Sequence, residues 1–248
     1  MKYAIIGGSV SRSFGLDLTE EDWPRLFQRL VEESGEVHRV ESIGFLNPSS
    51  LSKVLEQMDP TETLIIHMGT SVGWPVIKPP VERFLRPESR HDGAFHLPVR
   101  APEDFHHALK RFLRHLLRNL LKLCAFPFGL YRPRQSLKTL DDDVRRALKM
   151  TSRLATDVIW IQHRSLGYRR LVLERIIYRR YYKKITFLLR QSAATFERFH
   201  LLEIPDDFLI QENFTLDGVH LSAAGHLRFA HLVEREIREM NLGEVSPH

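Results

Sequence analysis

Short apolar runs alternate with longer amphipathic stretches along most of the chain. Five of these runs predict strands: Lys2 to Ile6, Val37 to Ser42, Leu64 to Met68, Asp157 to Gln162 and His200 to Ile204. Residues 19–22 predict a helix start that leads to about Glu33, and Pro48 to Met58 is predicted as a second helix. Because strands that alternate with helices form parallel sheets with right-handed crossovers, we predict an α/β fold with a mostly parallel, roughly five-stranded sheet.

The connection between the third and fourth predicted strands is unusually long, and we expect a helical, basic insertion at about 76–155. Within it, residues 102–123 place leucine and phenylalanine at helical spacing on one face and only basic or polar residues on the other. Such a helix most often covers a core. An interfacial membrane helix and a cap over a substrate with acyl chains are the alternatives.

Length and composition indicate one globular domain, which we place at residues 1–240, followed by a C-terminal tail at 241–248. The chain is 43% hydrophobic and 27% charged, which excludes a disordered protein. The single cysteine, Cys124, excludes an intramolecular disulfide. Gly7 and Gly8 interrupt the first apolar run too early for a secretion signal. We therefore expect a cytoplasmic protein, with peripheral attachment at the inner face of the membrane as an alternative.

The positive charge is concentrated rather than spread evenly. The net charge is +5, and basic residues cluster in 110–122 and, interleaved with tyrosines, in 168–184. Anionic membrane surfaces or acidic glycans are the expected partners of such stretches, whereas no module for specific nucleic-acid recognition is present. Basic helices are more often simply solvated faces. The thirteen histidines show no spacing typical of a metal site, and no cofactor is predicted. Oligomerisation remains open.

Three residues suggest a serine triad. Ser9 follows the first predicted strand, at the edge where open α/β sheets build their sites. Asp217 and His220 are three positions apart, so a single loop or helical turn can present both to the same side. A histidine that accepts the serine proton and a carboxylate that orients the histidine are what such a nucleophile requires. Taken singly, these residues fit a turn, a helix cap and a packed histidine; taken together, their order and spacing favour the triad.

These residues resemble the SGNH (GDSL-like) hydrolases. In that family a Gly-Asp-Ser turn near the N-terminus carries the nucleophile, and an Asp-x-x-His block near the C-terminus completes the triad. Residues 7–9 match the first block with Gly8 in place of the aspartate, and residues 217–226 match the last block closely. The resemblance implies a three-layer α/β/α fold and covers roughly residues 1–75 and 200–240.

The resemblance also implies an oxyanion hole formed by the backbone N–H groups of Ser9 and Gly44. Ser71 stands where the family has an asparagine that donates to the same oxyanion. His67, at the end of the third strand, and Trp74, in the proline-rich loop beyond it, are candidate substrate-binding residues. The pattern around His67 fits a buried strand position equally well.

The implied activity is ester hydrolysis through an acyl-enzyme on Ser9, with an O-acylated carbohydrate or a lipid-like ester as substrate. An acyltransferase would use the same triad while excluding water. A non-catalytic binding protein on a degenerate fold of this type is a further alternative, which the departures at Gly8 and Ser71 favour.

Overall fold

The computed structural model describes residues 2–8, 11, 16, 20–31, 36–42, 48–68, 75–77, 116–117, 119–133, 135–164, 172–215 and 220–243. The elements in chain order are β1 (Lys2–Gly7), α1 (Trp23–Val31), β2 (Glu36–Ser42), α2 (Pro48–Leu55), β3 (Thr61–Met68), β4 (Pro75–Ile77), β5 (Tyr131–Pro133), α3 (Leu137–Leu154), β6 (Ala155–Gln162), α4 (Val172–Thr195), β7 (Phe199–Glu203) and α5 (Ala223–Gly243). Two short 3₁₀ helices, Asp206–Phe208 and Gln211–Asn213, lie between β7 and α5.

Five strands form one parallel sheet in the order β2-β1-β3-β6-β7, which confirms the predicted sheet. Its five strands are the five predicted ones, with boundaries that coincide or differ by at most three residues. The order reverses between β1 and β3, because the chain first adds β2 on one side of β1 and then β3 on the other. In open α/β sheets the ligand crevice lies at the carboxyl ends of the two strands that flank this reversal.

Each face of the sheet is covered by helices, as the period-2 alternation of side chains requires. On one face Ile6, Ile66 and Trp160 pack against α2, α3 and α4. On the other, Ile5 and Ile65 pack against α1 and α5. Both sets are buried, which explains why the central strands read as continuous apolar runs in the sequence.

The segment predicted as an insertion contains a core helix. Helix α3 begins at a cap in which Thr139 N donates to Ser136 Oγ at 3.0 Å. Its Leu140, Val144 and Ala147 are fully buried against the sheet, so α3 is the crossover helix between β3 and β6. The additional part of the connection therefore ends before residue 137, where the prediction had extended it to 155.

The remaining part of that connection contains the antiparallel pair β4 and β5, which the sequence did not predict. Of the helix predicted at 102–123, the structure describes helical residues 116–117 and 119–123, and the helix continues to residue 125. At the other end, α5 extends to Gly243, three residues beyond the predicted end of the domain. No helix within the described ranges is long and apolar enough to span a bilayer.

Candidate active site

The candidate site lies at the carboxyl ends of β1 and β3. Gly7 and His67 are paired in register at these ends, and Met68 is paired with Gln162 at the end of β6. His163 N donates to Met68 O at 3.3 Å, which keeps the chain beyond β6 beside the end of β3. Three strands thus end together where the topology places a ligand crevice.

Gly7 is required at this edge for space. A Cβ on Gly7 would lie 2.2 Å from Ser11 Oγ and 2.4 Å from Ser11 Cβ. Ser11 lies over the end of β1 because its N–H donates to Gly8 O at 2.9 Å. Gly7 does not have a positive φ, so a glycine is needed there for its small size and not for its backbone conformation.

His67 is the centre of a buried hydrogen-bond network at the same edge. Trp23 Nε1 donates to His67 Nδ1 at 3.1 Å, and Ser11 Oγ lies 2.7 Å from the same nitrogen. An indole N–H can only donate, so Nδ1 accepts and the neutral ring carries its proton on Nε2. That proton is donated to His163 Nδ1 at 3.1 Å. The ring also stacks on Phe229, with centroids 4.7 Å apart.

Because its side chain is fully buried and both ring nitrogens have protein partners, His67 fits the buried-strand interpretation better than a contact with substrate. Burial, with smaller contributions from nearby His163 and His226, holds the pKa of His67 well below its ordinary value. A ring that resists protonation is a weak base. His67 Nδ1 also already accepts from Trp23 Nε1, so the Ser11–His67 pair is less suited to activate a nucleophile than its 2.7 Å distance alone suggests.

His226 links α5 to α1. Trp23 N, the first amide of α1, donates to His226 Nδ1 at 3.0 Å and so satisfies one of the free N–H groups at that helix start. His226 Nε2 must then carry the proton, and it has no hydrogen-bond partner in the described part of the chain. Burial first, then His163 and His220, lower the pKa of His226 to about 3. His226 is therefore a structural residue that joins α5 to α1.

His220 belongs to the C-terminal block and lies near His226. Phe214 and Leu221 form an antiparallel bridge, and Thr215 N donates to His220 O at 2.8 Å. These bonds bring residues 214–215 and 220–221 together on either side of the segment that contains Asp217. His220 is half-buried, and it is near enough to act electrostatically on His226. The triad histidine predicted from sequence therefore lies near His226, the residue that links α5 to α1.

Two hydrogen bonds of Ser222 fix the start of α5, which follows His220 in the chain. Ser222 Oγ accepts from Gly225 N at 3.1 Å as an N-cap, and Ser222 N donates to Asn213 O at 3.1 Å. Gly225 approaches the backbone of Asn213 so closely that no side chain fits there. The glycine of the C-terminal block is thus explained by packing.

Several predicted site residues lie outside the described residues. These are Ser9, Gly44, Ser71, Trp74 and Asp217. Their roles as nucleophile, oxyanion donors, substrate contact and orienting carboxylate remain predictions. In the described part of the chain, no group of three or more histidine, cysteine or acidic side chains has a geometry that could hold a metal ion.

Sequence reasoning did not identify His163 or the partners of His67. The only local signal was a polar residue directly after a buried strand, since His163 follows Gln162 at the end of β6. The contacts join residues 44, 96 and 203 positions apart, so only the fold brings them together.

The buried histidines predict a loss of stability in mild acid. In the unfolded chain a histidine takes up a proton near pH 6.5, but folded His226 does so only near pH 3. The unfolded state therefore binds more protons between these values, so this stability is complete above pH 6.5 and falls as the pH decreases. Between pH 7 and pH 5 the expected loss is about 2 kcal/mol from His226, and His67 acts in the same direction. Urea unfolding at several pH values measures this change.

The matched variant is His226→Asn, because the side-chain oxygen of an asparagine can accept from Trp23 N without titrating. We expect its free energy of unfolding to decrease less steeply between pH 7 and pH 5. The difference in slope corresponds to about one fewer proton taken up on unfolding. An acid slope identical to that of the wild type would contradict the assignment of a neutral, buried His226.

Comparison with known proteins supports the architecture. No family model matches the chain, and no curated protein matches it by sequence. The esterase EstA from Pseudoalteromonas sp., in a structure inhibited by monoethylphosphonate, matches with a TM-score of 0.54 and 14% identity over 96% of this chain and 97% of that one. Axe2, an acetylxylan esterase from Geobacillus stearothermophilus, gives 0.53 and 15% over 95% and 93%.

A GDSL-like lipase from Bacteroides thetaiotaomicron also matches, with a TM-score of 0.50 and 10% identity over 96% of this chain and 88% of that one. At these identities the shared property is the fold, and the similarity extends over almost the whole length of each chain. The protein therefore has the three-layer α/β fold of these esterases and lipases, as its resemblance to the SGNH hydrolases predicted.

Proposed function

We propose that the protein is a serine ester hydrolase with Ser9 as nucleophile, His220 as base and Asp217 as the residue that orients His220. The observation that carries the proposal is the position of His220 near His226, which is itself near His67 at the carboxyl end of β3. Ser9 follows β1 by two residues, so the segment that contains it leaves the sheet at this same edge.

In the proposed reaction Ser9 Oγ attacks the ester carbonyl while His220 takes the serine proton. The tetrahedral intermediate collapses when His220 gives that proton to the leaving alcohol, which leaves an acyl-enzyme. Water then attacks the acyl group with His220 again as base, and the carboxylic acid and free Ser9 are released. The backbone N–H groups of Ser9 and Gly44 hold the oxyanion, with Ser71 as an additional donor.

The proposed substrate is an O-acylated carbohydrate or a lipid-like ester. Support comes from the fold shared with an acetylxylan esterase and a lipase, and from the basic residues on α4, which favour an anionic substrate. A serine at position 71 would bind the oxyanion less well than an asparagine, because its hydroxyl reaches less far. Loss of one such donor lowers turnover by about 10²–10³-fold, so we expect slow hydrolysis.

The experiment is hydrolysis of p-nitrophenyl acetate by the wild type, Ser9→Ala and Ser11→Ala. We expect Ser9→Ala to lose activity by at least about 10³-fold, because no nucleophile remains. Ser11 is the matched control, since it is a serine two positions away that is buried against the weakly basic His67, and Ser11→Ala should retain activity within about tenfold. Unchanged activity in Ser9→Ala would refute the proposal, and a product that forms only with an added alcohol acceptor would indicate acyl transfer.

A further inference from the structure

Six large apolar side chains project from the helical residues 116–117 and 119–125 and from the turn that follows them. We call this group the apolar tip: Leu116, Leu117, Leu120, Leu123, Phe126 and Phe128. Phe128 is the most exposed of the six, at 78%. The turn is closed by Gly129 N, which donates to Phe126 O at 3.0 Å, and Gly129 has the left-handed φ of +65° that favours glycine. Exposed apolar groups of this size usually mark an interaction site.

The apolar tip is fixed to the body of the protein. Lys122 Nζ forms an ion pair with Glu174 Oε1 at 2.7 Å, and Tyr131 OH donates to the same carboxylate. Glu174 is in the first turn of α4, which follows the carboxyl end of β6. The tip therefore lies toward the same end of the sheet as Gly7 and His67.

The sequence that contains the tip is strongly basic. Between Phe105 and Leu140 the sequence contains eight lysine or arginine residues and no aspartate or glutamate, more positive charge than the whole chain carries as a net value. On α4, the exposed Arg179, Arg180 and Lys183 form no ion pair with an acid among the described residues. A partner that fits this surface must accept apolar side chains and carry negative charge.

We propose that the apolar tip is a docking surface for an anionic phospholipid bilayer. The leucine and phenylalanine side chains enter the boundary between head groups and acyl chains, and the flanking cations contact the anionic head groups. Nucleic acid would satisfy the cations but would leave the leucines in water. Docking in this orientation turns the carboxyl edge of the sheet toward the membrane. The inference is independent of the proposed hydrolysis, because docking requires none of the triad residues.

Cys124 gives a direct readout, because it is exposed, lies within the tip and is the chain's single cysteine. We would label it with an environment-sensitive fluorophore and add vesicles of phosphatidylcholine alone or with phosphatidylglycerol. We expect a blue shift and co-flotation with the anionic vesicles, decreasing as salt is raised. The double variant Phe126→Ser/Phe128→Ser should lower the partition coefficient by at least about tenfold, because both inserted rings are lost.

Phe196→Ser is the matched control. Phe196 is also partly exposed, but it precedes β7 and so lies at the opposite, amino end of the sheet. This variant should bind vesicles as the wild type does, and thermal unfolding of all variants confirms that they fold. Failure of the folded wild type to bind anionic vesicles overturns the proposal. A wild-type dimer that the double variant converts to a monomer also overturns it, since a second copy would then cover the tip.

Discussion

His220→Ala is expected to lower kcat/KM for p-nitrophenyl acetate by about 10⁴-fold or more, with only a small change in stability. Without the imidazole, neither the proton of Ser9 in acylation nor that of the attacking water in deacylation has an acceptor, so both steps slow. A 10⁴-fold loss corresponds to about 5.5 kcal/mol of transition-state stabilisation. His220 is only half-buried, so the free energy of unfolding should change by no more than about 1 kcal/mol.

Variants of two further histidines, both on α5, distinguish an effect on catalysis from an effect on folding. His231 is exposed on α5, and His231→Ala should leave both activity and stability unchanged. His226 is buried against Trp23, so His226→Ala should lower stability more than His220→Ala does. The proposed role of His220 is wrong if His220→Ala retains more than about a tenth of wild-type activity, or if it loses activity only because it unfolds.

Gly225→Ala is expected to destabilise the protein by about 2–3 kcal/mol, which lowers Tm by roughly 5–10 °C for a chain of this size. The added Cβ would lie 2.0 Å from Asn213 O and 2.8 Å from Asn213 C. These are backbone atoms, and Asn213 is fully buried with Nδ2 donating to Phe208 O at 2.8 Å. Alanine normally favours a helix over glycine by about 1 kcal/mol, but here the clash outweighs that gain.

The control for this prediction is Leu227→Ala. Leu227 is also in the first turns of α5 but is exposed, so the same final residue type should change stability by less than about 0.5 kcal/mol. Thermal and urea unfolding of both variants provide the comparison. A Gly225→Ala variant as stable as the wild type would show that α5 and Asn213 can separate without loss.

The sheet could be predicted from the sequence because its signal is local. Buried parallel strands such as Leu64 to Met68 are continuous apolar runs, and their alternation with helices determines the parallel arrangement. The crossover helix α3 was missed for the opposite reason. It follows a long, basic connection, and its buried residues cannot be distinguished by pattern from those of an additional surface helix.

The site could be predicted from the sequence only where its residues belong to the blocks that resemble those of the SGNH hydrolases. The approach of Ser11 to Gly7 and the contact of Gly225 with Asn213 explain glycines that the blocks contain, but the reasons are steric and appear only in three dimensions. The network of Trp23, His67 and His226 depends on α1, β3 and α5 meeting. No local pattern contains that information.

The most direct test of the account is labelling with a fluorophosphonate, with the adduct located by mass spectrometry in the wild type, Ser9→Ala, Ser11→Ala and His220→Ala. A phosphonate reacts only with an activated serine, so the account predicts an adduct on Ser9 in the wild type and in Ser11→Ala. It also predicts no adduct in Ser9→Ala or His220→Ala. An adduct on Ser11, or no labelling of correctly folded wild-type protein, would contradict it.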